Sequence, residues 1–144
     1  SATVYLAADT NPAGSQYSVE ASTGNNTGYG VIYNGNYIGN VTHNGLSSNT
    51  TYYYRVRAKN FDSVWTNYGT ENSSHTLAVT PNAISSVTTN QTSIVVTLGA
   101  NNNTAGTQYS VEASTGTNGS YGAIYTGNYT ANVTHNGLTA NTTY

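Results

Sequence analysis

The chain has 144 residues, only 6% of them charged, and a net charge of −2, so it offers neither a basic field for nucleic acid nor a strongly acidic one for cations. Cysteine and methionine are both absent, which excludes disulfides, thiolate metal sites and thiol chemistry. No apolar run approaches the ~20 residues that a membrane-spanning helix needs, and the first residues lack the basic-then-apolar layout of a signal peptide.

Asn, Thr, Ser and Gly fill the positions where most cytosolic proteins carry Lys and Glu, which points to an extracellular or cell-surface location. In chain order, alternating β-branched or aromatic runs are bounded by Gly, Asn and Pro clusters, and no stretch carries a helical period. Val4 and Leu6 face inward on a first strand, and Tyr17, Val19 and Ala21 on a second. Tyr29 to Tyr37, with Gly30 and Gly35, reads as a short irregular pair of edge segments. Val41 and Leu46 close the approach to the next strand. Residues 52–60 then alternate strictly, with Tyr52, Tyr54, Val56 and Ala58 on one face and Tyr53, Arg55, Arg57 and Lys59 on the other. All three cations of the protein lie on that outer face. A loop at Phe61-Asp62-Ser63, a strand through Trp65 and Tyr68, and an edge piece at His75–Val79 follow. Ile84 and Val87 begin the next unit.

That next unit repeats the first. Residues 1–52 and 93–144 align without a gap at an offset of about 92, and about two-thirds of the paired positions are identical. Gln16 to Gly24 returns as Gln108 to Gly116, and Asn40 to Leu46 as Asn132 to Leu138. This period is the size of one small β-sandwich, far longer than a solenoid coil. Few residues separate Val79 from Ile84, which predicts stiffly coupled neighbours.

Leu46, Tyr52, Tyr54, Val56, Ala58 and Asn60 together resemble the closing part of a fibronectin type III domain. The resemblance extends to Ser93–Leu98 as strand B, Gln108–Glu112 as strand C and Thr76-Leu77-Ala78 as strand G, and so covers essentially the whole chain. It is most similar to repeats of long bacterial surface proteins. It implies an all-β fold of tandem immunoglobulin-like sandwiches, with residues 1–80 supplying strands B to G without strand A, and 81–144 supplying A to E without F and G. Tyr52 and Tyr144 would be tyrosine-corner residues, each hydroxyl returning to backbone upstream. Leu6 and Leu98 stand near the place of the family's core tryptophan, and no Arg-Gly-Asp tripeptide occurs. Uncovered inner faces would forfeit roughly 1.5 to 3 kcal/mol per large side chain. The expectation is therefore a window onto a longer array, or a subunit whose edges a neighbour fills. Either way the partners are neighbouring copies of the repeat.

Ten positions satisfy Asn-x-Ser/Thr and are candidate glycosylation sites, with glycans as further partners: Asn25, Asn40, Asn49, Asn72, Asn90, Asn102, Asn118, Asn128, Asn132 and Asn141. Composition alone would produce on the order of six. Asn49 and Asn141 have a structural alternative in the turn before each tyrosine. His43 and His135 each stand alone, without a second ligand at metal spacing, and read as half-buried strand residues satisfied by backbone. His75 has no partner in the sequence. The five carboxylates, Asp9, Glu20, Asp62, Glu71 and Glu112, form no tuned pair, so no catalytic residue, metal site or cofactor is expected. Glu20 reads as an outward residue in an exposed cross-strand ion pair with Arg55 or Arg57. The 14 tyrosines include an outward set, Tyr5, Tyr29, Tyr33, Tyr37 and Tyr53, that could stack on sugars or serve packing. The leading expectation is a non-catalytic structural repeat of an extracellular fibre or long adhesin. The alternative is a spacer or sugar-binding accessory module of a secreted carbohydrate-active enzyme.

Overall fold

A computed structural model describes residues 1–7, 10–99, 103, 105–116 and 119–144. Asp9, Asn102 and Asn118 lie outside the described residues. The described residues form an all-β, sandwich-like fold of antiparallel sheets with no helix, and divide into two compact units, Ser1–Leu77 and Ala78–Tyr144.

Unit 1 contains β1 (Ala2–Tyr5), β2 (Gln16–Ser22), β3 (Gly30–Asn36), β4 (Asn40–His43), β5 (Thr51–Lys59) and β6 (Asn72–His75). One sheet has the order β3-β2-β5-β6 and the other is the pair β1-β4. Alternation places Tyr17, Val19 and Ala21 of β2 and Val41 of β4 in the core, with Val19 only 1% exposed. A T-shaped contact between Tyr17 and Tyr37 (5.6 Å between ring centroids) and the bond from the Tyr37 hydroxyl to the Leu6 carbonyl (3.1 Å) tie the sheets together. The interior opens on a cleft of about 1090 Å³ bordered by β1 and β6 and lined by Val4, Leu6, Val19, Leu46, Tyr54 and Val56.

Unit 2 contains β7 (Ile84–Thr89), β8 (Ser93–Leu98), β9 (Gln108–Ala113), β10 (Gly122–Asn128) and β11 (Asn132–Asn136), in sheets β11-β8-β7 and β10-β9. Three core positions recur from unit 1, with Tyr109, Val111 and Val133 buried where Tyr17, Val19 and Val41 stand, while Val96 is buried in addition. The Tyr109–Tyr129 contact (5.6 Å) and the Tyr129 bond to the Leu98 carbonyl (3.4 Å) repeat the inter-sheet tie. Here β7 runs along β8, pairing Val87 with Val96. The equivalent edge of β1 carries no strand among the described residues.

Two parts of the sequence reading change. Gly30–Asn36 is one seven-residue strand rather than two fragments, and absorbs its irregularity as a bulge opposite Val19 and Glu20. The Tyr33 ring lies across Gly35, where a Cβ would come within 2.8 Å of the hydroxyl and displace the ring. The stretch from Trp65 to Tyr68 is not a regular strand. Thr66 and Gly69 donate to the carbonyls of Ala58 and Val56 (2.8 Å each), so three residues on one side span two on the other and the ladder breaks. The edge strand falls earlier than expected, at Asn72–His75, and Leu77 to Val79 lie outside any strand.

Candidate functional site

The chemically dense part of the chain is the outer face of β5. Strand alternation projects Arg55, Arg57 and Lys59 on the side away from the core, and pairing with β2 sets Glu20 opposite Arg55 and Ser18 opposite Arg57. Both Nε and Nη2 of Arg55 donate to Glu20 Oε2, at 2.9 and 2.7 Å. Glu20 Oε1 accepts from the Tyr68 hydroxyl at 2.7 Å and from Arg57 Nη2 at 3.4 Å. Glu20 thus points outward as expected, but it is 4% exposed rather than solvated.

The covering comes from Tyr29, just before β3, and from the segment after β5. The Arg55 guanidinium lies 3.8 Å from the ring centroids of both Tyr29 and Tyr68. Arg57 lies 4.6 Å from Trp65 and 4.7 Å from Tyr68, and the Lys59 ammonium 5.2 Å from Trp65. Cations and rings form a ladder across the sheet, each cation keeping its charge on a π face while its stem shields the strand below. Burial pushes the Glu20 carboxyl up. The hydrogen bonds from Tyr68 and Arg55 and the charges of Arg55 and Arg57 outweigh it, holding the carboxyl below its ordinary range. Burial and the adjoining carboxylate push the Tyr68 phenol up, only partly offset by the two arginines.

Unit 2 provides an internal control. The word Gln-Tyr-Ser-Val-Glu-Ala-Ser occurs in both units, and in each its inner tyrosine and valine are buried. On the outer face, Ser18 and Glu20 are buried, whereas Ser110 and Glu112 are exposed. Tyr121, the counterpart of Tyr29, is 62% exposed. Among the described residues β9 pairs with β10 alone, and no strand bearing cations covers it.

The remaining candidates are dispersed. His43 lies against Tyr52 and Tyr54 in T-shaped contacts of 5.5 and 5.9 Å, with Nδ1 3.3 Å from the Tyr54 hydroxyl, so its partner is a side chain rather than backbone. Burial pushes its imidazole below the ordinary value. His135 repeats the contact with Tyr144 at 5.8 Å, and His75 is exposed on β6. No group of three or more potential metal ligands occurs among the described residues. The Tyr52 hydroxyl accepts from the backbone N–H of Ser47, and that of Tyr144 from Thr139, each at 3.0 Å.

The outward tyrosines do not make one platform. Tyr5 is 80% exposed, Tyr29 sits under Arg55, Tyr33 folds over Gly35, Tyr37 turns back to Leu6, and Tyr53 is half-buried. Of the acceptor asparagines, Asn25, Asn40, Asn72, Asn90, Asn128, Asn132 and Asn141 are exposed, and Asn49 is half-buried. Asn49 and Asn141 both adopt left-handed backbone, at φ 45° and 58°, which asparagine tolerates better than most residues.

Trp65 and Tyr68 as covers of the ladder were missed by the sequence reading. Their signal was the placement of two aromatics just after a strand whose outer face carries three cations. Neither a protein-family model nor a curated protein matches the chain.

Proposed function

We propose that the chain is a non-catalytic structural repeat, part of a tandem array of fibronectin type III-like sandwiches in an extracellular fibre or long cell-surface adhesin. The observation that carries this reading is that the densest cluster of charged and aromatic groups is spent on holding the fold. Glu20 takes hydrogen bonds from Arg55, Arg57 and Tyr68 over a sheet, and the core contacts of one unit recur in the next. In this reading β1 and β4 are strands B and E, β2, β3, β5 and β6 are C, C′, F and G, and β7 is strand A of the second unit. Among the described residues no strand then stands for A in unit 1, or for F and G in unit 2. Tyr52 and Tyr144 act as corner tyrosines, pinning the turns after β4 and β11 through Ser47 and Thr139. A surface of uncharged polar side chains, with acceptor asparagines in the open, suits glycan-bearing material outside the cell.

A sugar-binding role is less well supported, because Tyr29, Tyr68 and Trp65 carry cations on their rings instead of offering bare faces. Electron microscopy of the native material should show rods or threads, and a glycan array should show no saturable ligand. Compact isolated particles, or a saturable ligand lost on Tyr53→Ala, would overturn the assignment. Denaturing electrophoresis separates a covalent array, seen as a very large polypeptide, from strand-exchanged subunits of 15.1 kDa.

A further inference from the structure

Four asparagines of the chain precede a glycine, at positions 34, 44, 118 and 136. Asn118 lies outside the described residues, and the other three fall into two kinds of setting. Asn44 and Asn136 occupy the same place in the two units, exposed just after β4 and at the last position of β11. Gly45 and Gly137 follow them, also exposed, with left-handed backbone at φ 71° and 72°. Neither asparagine side chain, nor the N–H of either glycine, makes a hydrogen bond among the described residues. The arrangement is the same in unit 1, where β5 follows it, and in unit 2, where β7 extends the sheet. Asn34 is held differently. It pairs with Ser18 inside β3, and Gly35 pairs with Tyr17. The Tyr33 ring lies over Gly35 and its hydroxyl donates to the Asn36 carbonyl, so one side chain spans the dipeptide and keeps it extended.

We propose that Asn44 and Asn136 are sites of covalent modification by water, each losing its side-chain amide through a cyclic imide. The Gly45 nitrogen gives up its proton to hydroxide and bonds to Asn44 Cγ, the Cγ–Nδ2 bond breaks, and ammonia leaves. Water then adds to either carbonyl of the imide and opens the ring, giving aspartate or an isoaspartate whose main chain runs through the side-chain carbon. Gly137 and Asn136 react in the same way. Glycine suits the step because a Cβ on the following residue would crowd the attacking nitrogen. An unpaired glycine N–H in an exposed turn leaves the backbone able to bring nitrogen and Cγ together. Inside β3 the same approach requires the pairing with β2 to open first. Each event places a carboxylate on an uncharged turn, so the two units gain the same charge at the same position, on a chain whose net charge is −2. The chemistry is independent of whether the chain serves as a structural repeat.

The test incubates the full chain in warm, mildly alkaline buffer and maps its peptides by mass spectrometry over time, with an isoaspartyl methyltransferase labelling the isoaspartate product. Asn44 and Asn136 should convert at similar rates, and Asn34 at least about tenfold more slowly, the factor that an opening cost of about 1.4 kcal/mol imposes. In the urea-unfolded chain the three rates should converge, because each asparagine then has only its glycine as context. Gly45→Ala should slow Asn44 alone, with Asn136 of the same molecule as the internal reference. Asn34 converting as fast as the two turn asparagines in the folded chain, or all three as slow as one another while the unfolded chain reacts, overturns the proposal. So does conversion of Asn44 at an unchanged rate in Gly45→Ala.

Discussion

Replacing Glu20 by glutamine tests whether the ladder stabilises unit 1 or merely decorates it. The side chain is 5% exposed and receives two bonds from Arg55, one from Arg57 and one from the Tyr68 hydroxyl. Glutamine keeps an acceptor for Tyr68 but removes the charge that offsets two guanidinium groups. Removing one partner of a fully buried pair costs about 3–5 kcal/mol. Arg55 and Arg57 keep 27% and 28% exposure and can draw on water, so about 1.5–3 kcal/mol is expected, the range for a charge-assisted hydrogen bond. Trp65 is the only tryptophan and lies beside Arg57 and Lys59, so its fluorescence during urea unfolding reports this unit alone. Glu112→Gln is the matched control and should cost less than about 0.5 kcal/mol, as exposed substitutions do. The pH profile supplies a second reading. With its folded pKa depressed, Glu20 contributes stability that is complete above its unfolded value, about 4.3, and is lost as pH falls through the folded value. Below pH 5 the wild type should therefore lose stability that Glu20→Gln has already lost. Equal effects of the two substitutions, or parallel pH profiles, would refute the reasoning.

Asn49→Ala should cost about 1 kcal/mol and Asn49→Gly less, because φ is 45° there, with denaturant midpoints as the measure. Tyr52→Phe should cost about 1 kcal/mol by leaving the Ser47 N–H without its acceptor, measured the same way. His43 should titrate below the ordinary histidine value of about 6.5 by NMR, and its stabilising contribution should be complete above that value and decline as pH falls below it. In glycosylated native material, glycopeptide mass spectrometry should find sugar at exposed acceptors such as Asn25, Asn72 and Asn90 and none at half-buried Asn49.

Much of the architecture was legible because strand periodicity is a local signal. Alternation at 17–21 and 52–58 identified the inward faces, and the gapless repeat carried the same faces to Tyr109 and Val111. The irregular stretch at 65–69 was not legible. Its course follows from a mismatch of three residues against two on β5, and the rings of Trp65 and Tyr68 settle on cations that alternation merely places at the surface. The environment of Glu20 was misjudged for the same reason. A residue on the outer face of a strand is exposed only if nothing later in the chain folds over it.

The two copies of Gln-Tyr-Ser-Val-Glu-Ala-Ser mark the boundary between these kinds of information. By itself the sequence determined that both would be strands with tyrosine and valine turned inward, since side-chain direction in a strand depends on neighbours one and two residues away. Only tertiary structure decided that Glu20 would be a buried, charge-saturated anchor and Glu112 an exposed carboxylate. Burial of an outward side chain depends on what lies beside it in the sheet, and β2 has β5 with its arginines where β9, among the described residues, pairs with β10 alone.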